Sequence, residues 1–530
     1  MGIDGHEMHV MHDVDHGAPV FDLEKTEPTM SIGAPLPEVQ TNIDGGRPAC
    51  FKNVLEESLF VLTTTFAVGQ NSILAGAILC MSSFIGEDLR MSASEVTWLS
   101  AANSLSGGAF LLFFGRAADL FGRRVLLLTS LASFTIFMLI SGFSQNAIMM
   151  DVFMGLAGLA SAAAVPPAIG KLGAVYDKPS KRKNYAFATF SAGNPIGFVL
   201  GAFVSGITTQ VASWRASFWV IAVIYAAFTT VAFFTCPPDV EQNLGGFNLE
   251  TFKQFDFLGA ALAVAGIGMF TAALSSASEA ANGWETSYVI ALLVVGAVSI
   301  GGFIYWQSVY SRPLMPLSVW KDRNFTLVVS VLCLGFYGFS GNFFWVSLMW
   351  QHVHHYSPIQ VAVHLLPAGI GGIVVNLVAA LIMHRVSNKL MMIVGGVALL
   401  ISSVLFSANS ASISYWALTF PALVFAVIGQ DLEFTVTNMY VMSSLPSEQQ
   451  SIAGGIFNTV CRLAGTIGLG VQTSIYNSAG GGSEGAAALR YRPYQTTFWV
   501  SVVGAFLALF LLPFLTIGTQ GGKKKQERQD

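Results

Sequence analysis

The chain has 530 residues, of which 53% are hydrophobic and only 11% charged. A soluble domain carries about 25% charged residues, so this composition excludes an ordinary water-soluble protein and makes the lipid bilayer its solvent. Five scattered cysteines (Cys50, Cys80, Cys236, Cys333 and Cys461) suggest neither a disulfide framework nor a zinc site, and a net charge of −4 says nothing useful about partners; no nucleic-acid partner is expected.

Residues 1–54 are polar, with no apolar signal run, and read as a disordered cytoplasmic tail. His6, His9, His12 and His16 leave a metal-sensing tail as the other reading. A spanning helix needs about 20 mostly apolar residues. Fourteen runs meet that need: 57–82, 95–114, 125–144, 147–173, 185–209, 216–235, 257–278, 287–307, 326–350, 360–384, 390–407, 414–442, 451–476 and 496–518. Polar stretches at 237–256 and 308–325 divide them into six (55–236), two (257–307) and six (326–518). A basic tail, 519–530, follows; its Lys523, Lys524 and Lys525 suit anionic lipid.

Loop charge supports this count. With fourteen spans both termini share a face, and twenty of the 26 basic residues fall on that face. Only Arg90, Arg215, Arg490 and Arg492 fall on the other, while Lys171 and Arg462 lie within spans. Cytoplasmic loops carry the excess of Lys and Arg, so both termini are expected in the cytoplasm.

The turn between spans two and three reads Gly115-Arg-Ala-Ala-Asp119-Leu-Phe-Gly122-Arg123-Arg124. Gly115 and Gly122 suit sharp turns and close helix approach, and Asp119 suits a helix N-terminus. Two readings fit: a shaped turn that helices grip, or a plain loop of cytoplasmic positive charge.

The spacing Gly115, Asp119, Gly122, Arg123, Arg124 resembles the loop signature of the major facilitator superfamily. The 6 + 2 + 6 layout resembles its fourteen-span drug:proton antiporter branch. Arg47-Pro-Ala-Cys50, Trp214-Arg-Ala-Ser-Phe218 and Lys178-Pro-Ser-Lys-Arg-Lys183 look like fungal members, among them aminotriazole- and boron-resistance exporters and secondary-metabolite pumps. The resemblance implies an all-α membrane fold of two pseudo-symmetric six-helix bundles that rock around a midplane site. It implies that 115–124 is part of the conformational switch. It also implies a monomeric, multi-pass plasma-membrane exporter of small organic molecules (drug, toxin or secondary metabolite) driven by protons, with a vacuolar location as the alternative.

Two departures bear on that mechanism. In span five, Gly193-Asn194-Pro195-Ile-Gly197 and Gly201 follow the branch pattern only in part. The proline predicts a kink, the glycines predict close helix packing, and Asn194 faces either the cavity or a neighbouring helix. In span four, Met154 stands where the family often has an arginine linked to proton coupling. That substitution suits an alternative, a uniporter or uptake facilitator for a small solute such as ammonium or a nutrient. A non-transporting membrane sensor is a third possibility. No Gly-x4-Gly-Lys-Ser/Thr loop is present, which argues against an ATP-driven pump. Nothing suggests an enzyme or calls for a cofactor.

Intramembrane charge marks candidate sites, because such groups line cavities or pair. Asp431 and Glu433 in span twelve and Arg462 in span thirteen are the leads. At 1.5 Å per residue, Asp431 and Arg462 both lie about 18 Å from the turn that joins their spans. An Asp431–Arg462 pair is therefore expected to be possible, within a polar cluster that binds substrate, carries protons or simply holds two helices. Asn438 shares a face with Asp431, and Asn458 precedes Arg462 by one turn. Asn71, Asn103 and Asn342, with Gln70 and Asn376, suit either a cavity wall or helix–helix hydrogen bonds. Phe343, Phe344, Trp345 and Trp350 suit a cavity wall or the lipid face. His352, His354 and His355 suit an exposed outer loop or a pH sensor, and His364 lies deeper.

Overall fold

The computed structural model describes residues 47–176, 181–239, 256–277, 280, 283–310, 313–315, 317–382, 386–410, 413–444, 450–481 and 491–517. The tail histidines and Lys523 to Lys525 lie outside the described residues. Among the described residues, all regular structure is helical.

Helix α1 (Val54–Leu89) starts where the Asn53 side chain accepts the Glu56 amide, and ends at Arg90, whose backbone is left-handed (φ 52°). A reciprocal Ser92–Glu95 cap opens α2 (Ala93–Ala109). The same span continues past Phe110 as α3 (Leu111–Phe121). Gly122 alone separates α3 from α4 (Arg123–Ser141). Next come α5 (Ala147–Val175), α6 (Lys181–Ser191), α7 (Gly193–Val211) and α8 (Trp214–Thr235). The pair α9 (Phe257–Ser276) and α10 (Ser287–Val309) follows. Buried Asp256 ties that pair together: it caps α9 and accepts bonds from Trp306 and Gln307 at the end of α10. The last set is α11 (Arg323–His352), α12 (Pro358–Ile382), α13 (Asn388–Ala408), α14 (Thr419–Ser443), α15 (Gln450–Tyr476) and α16 (Tyr491–Leu511).

Each predicted run coincides with helix, but not every run is apolar enough to count as a span on hydropathy and length. Eleven helices pass, or twelve when the bent pair α6–α7 is taken as one span. The runs at 95–114 and 451–476 form α2–α3 and α15 without passing. The first falls short in length, since the break at Phe110 leaves α2 with 17 residues and α3 with 11; the second carries Asn458 and Arg462, which lie on a helix packed against α2 and need not suit lipid.

The bend in span five sits at Ala192, between α6 and α7, and measures 40°. Pro195 is three residues further on, in the first turn of α7. A proline ring clashes with the carbonyl four residues earlier, here Ser191, which places the break just before it.

Helices α1 to α8 pack largely among themselves, as do α11 to α16. The first set meets the second through α2 against α15 and α7 against α12, and α9 lies over α15 and α2. The face carrying the start of α1 is termed the near face; the other, carrying its end, is the far face. One apolar core fills α1 to α8 and continues through the far halves of α11 to α16, at Phe343, Trp345, Leu365, Phe406 and Phe498. The near halves of α11 to α16 hold a separate core around Phe325, Met392, Val436, Phe457 and Leu512. The two sets thus share one interior on the far side only. Exposed apolar side chains such as Val294, Val298, Ile304 and Val309 on α10, and Val503, Phe506 and Phe510 on α16, cover the outside. So large an apolar surface requires lipid.

Candidate functional site

The predicted switch segment is mostly helical. Gly115 lies inside α3, where an added Cβ would come no closer than 4.0 Å to Pro166, so it is neither a turn nor a close-approach residue. Asp119 belongs to the last turn of α3. The turn is Gly122, with φ 101°, a conformation that L residues rarely adopt. From it Arg123 donates to the Gly170 carbonyl of α5 (3.0 Å), and Arg124 donates to the Phe233 carbonyl of α8 (3.0 Å). The Arg124 backbone amide donates to Asp239, which forms an ion pair with Lys171 at 2.6 Å. Lys171 also donates to the Pro237 carbonyl.

This near-face clasp joins α4, α5 and the exit of α8. Lys171 and Asp239 were legible only as a lysine inside an apolar run and an acid after Pro237-Pro238. The Lys171 side chain is 4% exposed and that of Asp239 17%, and removing one partner of a buried pair strands the other. Lys171→Met is expected to cost about 3 kcal/mol, read as a lower melting temperature in detergent. Adding Asp239→Asn should recover part of the loss; an unchanged melting temperature in the single variant would refute the clasp.

A glycine seam joins α7 to α1. Gly193, Gly197 and Gly201 repeat every four residues and face the α1 backbone at Thr65, Gly69 and Ile73. On the same contact, Gly76 of α1 faces the Phe198 carbonyl. Asn194, beside the seam, accepts a bond from Ser72 at 3.0 Å, so it bonds a neighbouring helix.

The polar residues at mid-depth do not form one cluster. Asp431, half buried on α14, accepts from Asn376 of α12 at 3.2 Å. Glu433, two residues on, is wholly buried; it lies against Gly335 of α11 and Gly395 and Gly396 of α13, inside its own helix set. Neither of its oxygens has a hydrogen-bond partner among the described residues, and nor does the amide of neighbouring Gln430.

Arg462 points away from both acids. Its Nη1 is 3.3 Å from Asn71 Oδ1 on α1 and 3.3 Å from Ser161 Oγ on α5. Asn103 donates to the same Asn71 oxygen at 2.9 Å, and Thr459 donates to the Gly108 carbonyl of α2 at 2.9 Å. The expected Asp431–Arg462 pair is therefore not formed. Equal depth does not suffice: helix rotation sends Asp431 toward α12 and Arg462 across to the first helix set.

The remaining candidates divide in the same way. Asn438 and Asn458 are half buried, on α14 and α15. Asn342 is buried within the last helix set, where Ser501 of α16 donates to it at 2.6 Å; it is a helix–helix bond. Phe343, Phe344, Trp345 and Trp350 are all buried, not lipid-facing. Trp345 stacks on Tyr476 at 4.3 Å, and Phe343 meets Phe198 of α7 edge-on. His352 bonds Tyr494 at 3.2 Å. In the turn after α11, His354 is partly buried; desolvation first, and then neighbouring His355 and His364, push it below the ordinary histidine value.

On the far side the two sets are bonded together. Gln351 of α11 donates to the Leu79 carbonyl at 2.9 Å and accepts from the Ser83 amide at 3.2 Å, and Ser347 also donates to Leu79. Thr473 of α15 donates to Thr97 of α2 at 3.3 Å. Above these bonds opens a far-face cavity of about 390 Å³, lined by Glu87, Gln210, Gln351 and Tyr356 among others.

Two helical sets enclosing mid-depth polar groups, with bonds between them on one side, form the architecture of a membrane transport protein. Residues 60–469 match the family model described as Major Facilitator Superfamily, and the chain belongs to that family. It is 27% identical over 466 residues to a low affinity ammonium transporter of Saccharomyces cerevisiae, covering 87% of this chain and 88% of the relative. It is 25% identical over 437 residues to efflux pump terJ of Aspergillus terreus, covering 81% and 82%. The fold is similar to the crystal structure of a point mutant of the nucleoside transporter NupG, with a TM-score of 0.60, 10% identity, and coverage of 86% of this chain and 99% of that one.

Proposed function

We propose that the protein exports small organic molecules (drugs, toxins or secondary metabolites) by alternating access, exchanging them for protons. In this reading fourteen helical spans in a 6 + 2 + 6 order cross the plasma membrane, both termini lie in the cytoplasm, and the protein acts as a monomer. The near face is then cytoplasmic, and the far-side seal of Gln351, Ser347 and Thr473 closes the path to the outside. The Gly122–Arg124 clasp shapes the first bundle for rocking. The observation that carries the reading is a pair of mid-depth polar sites, one beside the bundle seam and one bridging it. One is Asp431 with Asn376; the other is Arg462 with Asn71, Asn103 and Ser161. Asp431 is assigned to the exchanged proton. The efflux-pump relative supports the direction.

A second reading, uptake of a small cation such as ammonium, is favoured by the half-buried acid Asp431 and by the ammonium-transporter relative. Flux into and out of vesicles holding the purified protein separates the two. With an imposed pH gradient and a panel of organic solutes, export predicts uphill movement of an organic solute against proton flow. Uphill movement of ammonium alone would overturn it.

A further inference from the structure

Arg462 carries a charge without a counter-charge. Its Nη1 has two acceptors, Asn71 and Ser161, both neutral and both at 3.3 Å, the long end for a hydrogen bond. Its Nε and Nη2 bond no described residue, and no carboxylate among the described residues forms an ion pair with it. Arg462 is half buried, and its Nε and Nη2 are not among the described side-chain atoms that are both sealed from solvent and unpartnered, so that side of the guanidinium is open.

The surroundings are shaped to admit it. An added Cβ on Gly107 would collide with Nη1, and one on Gly108 would lie 3.0 Å from Arg462 Cβ. Asn103 orients the Asn71 amide by donating to the oxygen that Arg462 uses. Met154, two turns before Ser161 on α5, is buried and apolar, so the cation in this pocket arrives from the opposite bundle. Helices α1 and α5 must release it whenever the bundles part at this level.

A carboxylate offers a guanidinium what a neutral acceptor cannot: opposite-charge attraction and two parallel N–H···O bonds to one planar group. An anion reaching the open side of the guanidinium therefore outcompetes Asn71 and Ser161. We propose that Arg462 binds an anionic group of the transported molecule, a carboxylate or similarly acidic oxygen, and that its capture unties α15 from α1 and α5. This inference rests on the transport reading and names its substrate class. A cation, ammonium included, meets like charge at this site.

The test compares purified wild-type protein with Arg462→Gln, Arg462→Lys and the double variant Asn71→Ala/Ser161→Ala. Binding of aryl carboxylates, their matched primary amides and methylammonium is read by thermal stabilisation in detergent, and flux of the same probes is read in vesicles. Wild-type protein should prefer carboxylate to amide. Arg462→Gln should weaken carboxylate binding about 10- to 100-fold, the range for a hydrogen bond to a charged group, and weaken amide binding far less, so that the preference between the two collapses. Arg462→Lys should keep part of the preference. The double variant, which loosens the cradle and spares the charge, should bind carboxylate several-fold more tightly. Equal binding of all three probes, or a carboxylate preference that survives Arg462→Gln, overturns the anion site. Weaker carboxylate binding in the double variant overturns the competition. Arg462-dependent carboxylate binding with no flux of any probe upholds the anion site and overturns the proposed export of such organic solutes instead.

Discussion

Asp431→Asn is expected to abolish pH-driven transport while leaving the protein folded. Asparagine matches aspartate in shape and can keep an oxygen toward the Asn376 amide, 3.2 Å away in the native site. Helix packing between α12 and α14 therefore survives, and the melting temperature in detergent should shift little. What is lost is a carboxyl that gains and loses a proton beside the seam: an added Cβ on Gly372 would lie 3.2 Å from its Oδ2 and 3.6 Å from Pro195 of α7. Accumulation driven by a pH gradient should fall to the protein-free baseline, and counterflow of pre-loaded solute without a gradient should persist. Glu433→Gln is the informative companion. Glu433 lies wholly within the last helix set, against glycines of α11 and α13. It is remote from the seam, and its amide variant should keep pH-driven flux. If Asp431→Asn retains wild-type accumulation and pH dependence, the coupling role is wrong; if Glu433→Gln loses them, the proton pathway runs inside one bundle.

The helices were legible because lipid imposes long apolar runs with few exceptions, and each run found its helix. The exceptions were legible for the same reason: Asp431, Glu433 and Arg462 stand out against an apolar background. Their partners were not. Depth along a helix follows from counting residues at a fixed rise, but azimuth depends on which neighbours pack closest. Asp431 and Glu433 are only two residues apart, about 200° around a helix of 3.6 residues per turn. One therefore reaches the seam with Asn376 and the other a bundle interior. Arg462 crosses to α1 and α5 because Gly107 and Gly108 let α15 approach α2, a tertiary fact with no local signature. A turn within 115–124 was readable, but not that Gly122 alone makes it while Gly115 stays inside a helix, and the ion pair of Lys171 with Asp239 joins helix ends far apart in sequence. The i, i+4, i+8 glycines at 193, 197 and 201 announced close packing, yet only the structure names α1 as the surface they meet.

That seam sets the largest expected stability effect. Gly201→Leu should eliminate folded protein, seen as loss of the monodisperse peak in fluorescence-detected size exclusion. At Gly201 an added Cβ would overlap the Ile73 carbonyl oxygen, and at Gly197 it would lie 2.8 Å from the Gly69 carbonyl oxygen and 3.3 Å from Gly69 Cα. These neighbours are backbone, held in the hydrogen-bonded ladder of α1, and cannot swing aside as a side chain does. Relief requires α7 and α1 to separate along the seam, which forfeits the packing of Gly193, Gly197 and Gly76 together. Overpacking a well-packed core typically costs about 1–3 kcal/mol, occasionally more. With backbone on both sides, the cost here should exceed about 3 kcal/mol, a large share of the roughly 5–15 kcal/mol that holds a typical protein folded. Gly201→Ala should be destabilising in the same direction, because the clash begins at Cβ. The control is Gly301→Leu on α10, where nothing lies within 4 Å and the residue is exposed on the apolar outer surface. It adds the same side chain to another glycine in a helix and should leave the peak intact. Equal loss in both variants would mean that helix propensity or insertion, and not the α1–α7 seam, governs the outcome.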